Sequence, residues 1–205
     1  MVKRAIFYDD CRDASRLAAE WTQTTPAAWS VYNDGTRFSY RCSTTVEINT
    51  LMSILPSKDF EIYMKIKSAS VLGNIGVLLR KARNAADADT ASVLVWFTGG
   101  TISIYIYDGS YQILTSVAFA WSANQWYEFR GRVRGETFQA KAWLLGTPEP
   151  DWIVTTYNTR QTLGGRRIAP CTIGTRQQAD IAGVARDYAD IRVYPIPRTG
   201  GGMAP

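Results

Sequence analysis

The sequence predicts an all-β protein built as a two-sheet antiparallel β-sandwich, and three observations carry that prediction. The first is the stretch Trp126–Trp152. Tyr127, Phe129, Gly131 and Val133 alternate with Glu128, Arg130, Arg132 and Arg134; after Gly135, Phe138, Ala140 and Ala142 alternate with Gln139, Lys141 and Trp143. A period of two marks a strand buried on one side and wet on the other, and two such runs around a short glycine turn make a hairpin. The second is turn chemistry: Asn33-Asp34-Gly35, Gly99-Gly100 and Asp108-Gly109 separate other short apolar runs with residues that tolerate positive φ. The third is that almost no segment keeps a helical period. Many short strands with little helix must bury their apolar faces against one another in layers.

The elements follow in order. Ala5 to Tyr8 is a short apolar run ending at Asp9-Asp10, and Asp13 is placed to cap a brief helical turn through Arg16, Leu17 and Glu20. Ala28 to Tyr32 and Thr36 to Arg41 flank the first turn, and Val46 to Leu51 reads as a further short strand. Phe60 to Lys67 alternates cleanly. Asn74 to Arg80 is continuously apolar, as a strand covered on both faces is. Lys81 to Thr90 reads as a loop or weak helical turn. Ser92 to Phe97, Thr101 to Tyr107 and Gln112 to Ser116 are joined by the two glycine turns. Pro148 and Pro150 close the central hairpin, because proline cannot donate to a ladder. Trp152 to Tyr157, Cys171 to Gly174 and Tyr188 to Ile196 complete the strands, the last with Ile191 and Val193 opposite Arg192 and Tyr194. No repeat or composition break divides the chain, so residues 1–198 form one domain and the Gly-rich residues 199–205 a flexible tail.

A chain of 205 residues fits one sandwich, and seven Trp and eleven Tyr supply large core pieces. The net charge of +5 suits acidic partners without demanding them. No run approaches the ~20 apolar residues of a membrane-spanning helix, which argues against membrane insertion. The basic opening Met-Val-Lys-Arg is cut by acids before an apolar core forms, so no secretory signal is expected and synthesis is set in the cytoplasm. Cys11, Cys42 and Cys171 show no C-x-x-C spacing and read as buried free thiols from a reducing compartment.

Several motifs together resemble one family. F-Y-D-D, then W-T-Q and A-A-W-S-V-Y-N-D-G, is similar to the first strands of concanavalin A-like lectin and glucanase jelly rolls, a group that includes laminin-G-like modules. W-Y-E-F-R-G-R-V-R-G with K-A-W and P-D-W resembles their penultimate hairpin. D-Y-A-D-I-R-V-Y resembles their final strand, which pairs beside the first. The resemblance spans residues 5 to 196 and implies a jelly roll of two curved sheets of six or seven strands.

Glucanases of this fold carry paired acids as E-x-D-x-x-E, and no such run occurs here. The chain has no His, which removes the commonest general base and the usual triads. The expectation is a protein that is not an enzyme. The resemblance implies a structural calcium as the one cofactor to consider, shared by Asp9 or Asp10 with Asp187 or Asp190. The plainer alternative pairs these carboxylates with Arg4, Arg12 or Arg186. Glycan binding is the family's commonest non-catalytic role, and Tyr105, Tyr107 and Trp96 are the rings placed to stack on sugars. Core filling is the alternative for Trp96 as for Trp121, Trp126 and Trp143.

Arg130, Arg132, Arg134 and Lys141 form a basic stripe suited to docking an acidic protein partner or to self-association; the alternative is a wet strand face. Arg160, Arg166, Arg167 and Arg176 crowd the late loop, yet no nucleic-acid module accompanies them and no nucleic acid is expected. Two functional expectations follow. The first is a non-catalytic phage virion component, a capsid decoration or tail-associated subunit used in many copies. The alternative to it is a free-standing carbohydrate-binding module or adhesin.

Overall fold

The structure is a computed structural model, and it describes residues 4–23, 28–42, 51–54, 59–71, 75–81, 92–98, 100–107, 110–157, 172–173 and 184–196. The tail 199–205, Cys171 and the four late-loop arginines lie outside the described residues. Strands dominate. They are β1 (Phe7–Asp9), β2 (Thr22–Gln23), β3 (Trp29–Asn33), β4 (Phe38–Cys42), β5 (Leu51–Ile54), β6 (Phe60–Ser68), β7 (Ile75–Lys81) and β8 (Ser92–Thr98). They continue with β9 (Thr101–Tyr107), β10 (Tyr111–Ala118), β11 (Tyr127–Arg134), β12 (Thr137–Leu144), β13 (Val154–Tyr157), β14 (Thr172–Ile173) and β15 (Arg186–Pro195). A single helix among the described residues, α1 (Ala14–Glu20), starts where expected. The Asp13 carboxylate accepts the Ser15 amide at 2.8 Å and the Arg16 amide at 3.4 Å. No helix among them is long and apolar enough to cross a membrane.

One layer is an eight-stranded antiparallel sheet in the order β13-β12-β11-β6-β15-β4-β3, with β1 also paired to β15. The other contains the four-stranded sheet β10-β9-β8-β7. The short sheet β14-β5-β2 stands beside it, β14 lying against β7. The first layer therefore exceeds the six or seven strands expected. The fifth strand also differs: it is placed at Leu51–Ile54, where the expected one ended, while 46–50 lies outside the described residues.

The first and last strands do pair, Phe7 opposite Val193 and Asp9 opposite Ile191. β15 is more central than its position at the end of the chain suggests. It holds β6 on one edge and, in tandem, β4 and β1 on the other. The register shifts between Ala189 and Arg192, and Asp190 sits there at φ 52°. This bulge has a parity reason. Tyr188 and Ile191 are three residues apart, yet both are buried in the core. Strict alternation would turn one of them outward, and one extra residue restores the phase. Asp tolerates the left-handed conformation the bulge requires better than a branched residue would.

The core lies between the layers. Phe60, Ile62, Met64 and Ile66 from β6 and Phe129 and Val133 from β11 meet Ile75, Val77 and Leu79 from β7, Val95 and Phe97 from β8, and Ile102 and Ile104 from β9. The Phe97 and Phe129 rings meet edge to face across the interface at 5.7 Å. The buried positions expected in Phe60 to Lys67 and in the central hairpin are buried, but Glu61, Lys141 and Trp143, expected on the wet face, are buried as well. Cys11 and Cys42 are buried and not joined in a disulfide. Burial, followed by the charge of Asp9, pushes the Cys11 thiol well up, so it is an inert core group.

Candidate functional site

The alternation that fills the core projects polar side chains from the opposite face of the eight-stranded sheet. Registry decides which of them meet. Arg130 stands opposite Lys141 on one side and Tyr63 on the other; Arg132 stands opposite Glu61, and Arg192 opposite Tyr63. The basic stripe is therefore on one face, as expected, but it is matched from within. Glu61, only 2% exposed, accepts Arg132 at 2.7 Å and sits 3.4 Å from Arg130. Glu149 pairs with Arg130 at 3.1 Å and Lys141 at 2.7 Å, and the Lys141 ammonium also donates to the Pro150 carbonyl. The Trp152 ring lies beneath both Arg132 and Lys141. Arg134 is the exposed member. An acidic partner would have to displace these carboxylates, so most of the stripe is internal structure.

Of the glycan candidates on the four-stranded sheet, Trp96 takes the buried alternative. Trp96 is buried, with Tyr105 at 5.4 Å and Tyr111 at 6.0 Å packed edge to face over it. It presents no ring face to solvent. Tyr105 is half-buried against it, and the side chain of Tyr107 lies outside the described residues.

The four carboxylates considered for calcium are separated by role. Asp9 is fully buried and accepts the Cys11 amide at 2.8 Å, the Trp21 indole at 2.8 Å and the Tyr40 hydroxyl at 2.9 Å. Asp187 takes the Arg41 guanidinium through both oxygens at 2.7 and 2.8 Å. Asp10 and Asp190 do share one cleft, but Arg12 stands 3.5 Å from the first, and Lys65 and Arg192 bond the second. Among the described residues no three His, Cys, Asp or Glu gather to hold a metal.

That cleft on the polar face is about 260 Å³ in volume. The end of β1 contributes Tyr8 and Asp10, followed by Arg12; the β3–β4 turn contributes Thr36, Arg37 and Phe38. β6 supplies Lys65, and the β15 bulge supplies Asp190 and Arg192. Tyr8 is 48% exposed, and the Arg192 guanidinium lies 5.3 Å from its ring centre. Arg12 covers Phe38 in the same manner at 5.3 Å. Burial opposes charge at Asp190, but the hydrogen bonds from Lys65 and Arg192 outweigh it and hold the carboxyl below its usual range.

Asp34 anchors the wall formed by the β3–β4 turn. It accepts the Lys67 ammonium at 2.7 Å, the Trp126 indole at 2.9 Å, the Thr36 amide at 3.0 Å and the Arg37 amide at 3.1 Å. Burial again opposes the charge, and the Lys67, Thr36 and Trp126 bonds overcome it, holding Asp34 far below the usual carboxylate range. Gly35, at φ 89°, closes this turn.

A pH dependence follows. Both groups keep their charge when folded, while in the unfolded chain an Asp titrates near ~3.9. Their stabilisation is complete above that value and is lost as pH falls through it towards the lower folded values. Urea midpoints should hold steady from neutral pH to about 5 and drop below about 4. Asp34→Asn should flatten that drop, and an unchanged slope would mean other groups cause it.

Reasoning from sequence missed Tyr8, Arg12, Arg37, Phe38, Lys65 and Arg192 as a set. Alternation did place Lys65 and Arg192 on the wet face. Only strand order shows that they share a cleft with the start of the chain.

Neither a family model nor a curated protein sequence matches this chain. Solved structures do. The chain is similar to carbohydrate binding module CBM66 from Bacillus subtilis, with TM-score 0.60 and 9% identity over 85% of this chain and 95% of that one. It is similar to a Bacillus subtilis protein of unknown function with a galectin-like fold, with TM-score 0.65 and 11% identity over 96% and 99% of the two chains. It is also similar to the exoplasmic/lumenal domain of VIP36 in its Ca2+/Man-bound form, with TM-score 0.64 and 10% identity over 88% and 85%. The fold is that of the lectin-like jelly rolls. At these identities the likeness concerns architecture, and the resemblance read from the sequence is met at that level.

Proposed function

We propose that this protein is a non-catalytic carbohydrate-binding protein whose sugar site is the Tyr8–Arg192 cleft. The observation that carries the reading is Tyr8 itself, an exposed ring held in place by a guanidinium at the rim of a cleft with both donors and acceptors. A sugar ring has apolar C–H faces and a rim of hydroxyls. An aromatic platform beside fixed charged groups matches both. Two of the similar structures, the carbohydrate binding module and the Ca2+/Man-bound domain, bear carbohydrate in their names. That supports the reading by analogy of fold, not of site.

Glycoside hydrolysis needs one carboxylic acid kept protonated to donate to the leaving group. Asp190 is held in the opposite state by Lys65 and Arg192, so it is not that acid. A place in a phage particle, the first expectation from the sequence, would be a setting for this site and not a rival to it.

The test is a glycan array with unmodified protein and with Tyr8→Ala. A stacked ring contributes enough that its loss should weaken binding about tenfold or more, while the melting temperature stays within a few degrees because Tyr8 is a surface side chain. Retained binding in Tyr8→Ala would remove the cleft from the reading, and an array with no bound glycan would remove the function. Repeating the array with a calcium chelator should leave binding intact. Loss on chelation would return Asp10 and Asp190 to a ligand set.

A further inference from the structure

The charges around the cleft do not balance. Arg12, Arg37, Lys65 and Arg192 face only two carboxylates, Asp10 and Asp190. Asp190 is committed twice, to Lys65 at 2.8 Å and to the Arg192 guanidinium at 2.7 and 2.9 Å. Asp10 is matched to Arg12 at 3.5 Å. Arg37 is different. Its guanidinium lies over the Trp126 ring at 4.9 Å, its Nε is buried without a hydrogen-bond acceptor, and no carboxylate among the described residues pairs with it. Asp34, three residues earlier in the same turn, accepts the Arg37 amide on one oxygen and Lys67 and Trp126 on the other. The turn thus fixes Arg37 at the wall while leaving its charge to something else.

We infer that the cleft selects glycans carrying a carboxylate, with the acid group received at Arg37 and the sugar ring against Tyr8. The inference rests on the cleft being the sugar site. A guanidinium is a planar fork that matches a carboxylate through two hydrogen bonds, and its contact with the Trp126 ring positions it in advance of the ligand. A neutral sugar would fill the cleft and leave the excess positive charge uncompensated. The acid could belong to a uronic acid or to a sialic acid, and both present the same group.

The experiment titrates the unmodified protein with two matched pairs: trigalacturonate against its methyl ester, and 3′-sialyllactose against its methyl ester. At least one acid should bind about tenfold or more tightly than its neutral partner, as a charge-assisted bidentate contact supplies. Which pair shows the difference identifies the source of the acid. Raising the salt should erode that preference. Arg37→Gln should bring the ratio of acid to neutral affinity to about one, since it removes the fork. Equal binding of acid and neutral partners, both lost in Tyr8→Ala, would overturn the acid selectivity and leave the sugar site standing. No binding by any of the four, or by the array, would overturn both. A preference that persists in a folded Arg37→Gln protein would overturn the assignment to Arg37. If that variant melts early, the acid–ester comparison on unmodified protein decides the selectivity by itself.

Discussion

Asp9→Ala is expected to lower the unfolding free energy by about 3–5 kcal/mol, the range for leaving buried partners of a charged group unmatched. The reason is the set of donors converging on this carboxylate. The Cys11 amide and the Arg16 guanidinium approach Oδ1 at 2.8 and 3.7 Å, and the Trp21 indole and the Tyr40 hydroxyl donate to Oδ2 at 2.8 and 2.9 Å. Cys11, Trp21 and Tyr40 are themselves buried, so water cannot take over their bonds. Alanine would strand three donors at once where β1, α1 and β4 join. Asp9→Asn should cost less, because its carbonyl oxygen still accepts while its amide nitrogen cannot. The contrast with the next residue is sharp. Asp10 points into the cleft with its side chain 43% exposed, and Asp10→Ala should change stability by no more than about 0.5 kcal/mol. Denaturant unfolding of the three variants checks this, and similar losses for Asp9→Ala and Asp10→Ala would refute the assigned roles.

Gly131→Val is expected to cost about 3 kcal/mol, the upper end for overfilling a packed core. Gly131 lies in β11 on the core side, with Phe129 and Val133. A Cβ there would stand 2.5 Å from the Leu79 Cδ2, 3.1 Å from the Phe129 ring and 3.2 Å from the Ile62 Cγ2. Leu79 belongs to the opposite layer and is fully buried, so the position marks a close approach of the two sheets. Glycine in an open strand is worse than alanine by about 0.5–1 kcal/mol; here the approaching Leu79 reverses that preference. Gly131→Ala should therefore also destabilise, by a smaller amount. Combining it with Leu79→Ala should recover part of the loss, with a coupling of about 1 kcal/mol. Strict additivity of the two substitutions would mean that Leu79 is not the obstacle.

The sequence alone determined most of the longer strands, most of their turns and the side-chain faces within a regular run. Period-two alternation and positive-φ turns are local properties, so Phe60–Ser68, the Gly135 hairpin and the Asp13 cap were legible without any partner strand. The resemblance even paired the first strand with the last. Other features depend on contacts between residues far apart in the chain. Asp9 and Asp10 are adjacent acids after one strand, yet one is the buried hub of the N-terminal junction and the other a cleft wall. Nothing in their spacing distinguishes them, because the difference is made by Trp21 and Tyr40. The basic stripe was visible as four cations, but the carboxylates that match it come from β6 and from the loop after β12. Trp96 could be core or platform until Tyr105 and Tyr111 closed over it. The cleft joins residues from both ends of the chain because β15 holds β1, β4 and β6 together and bulges at Asp190. Alternation fixes the face of a side chain. Strand order and register, set by the packing of the whole core, fix its neighbours.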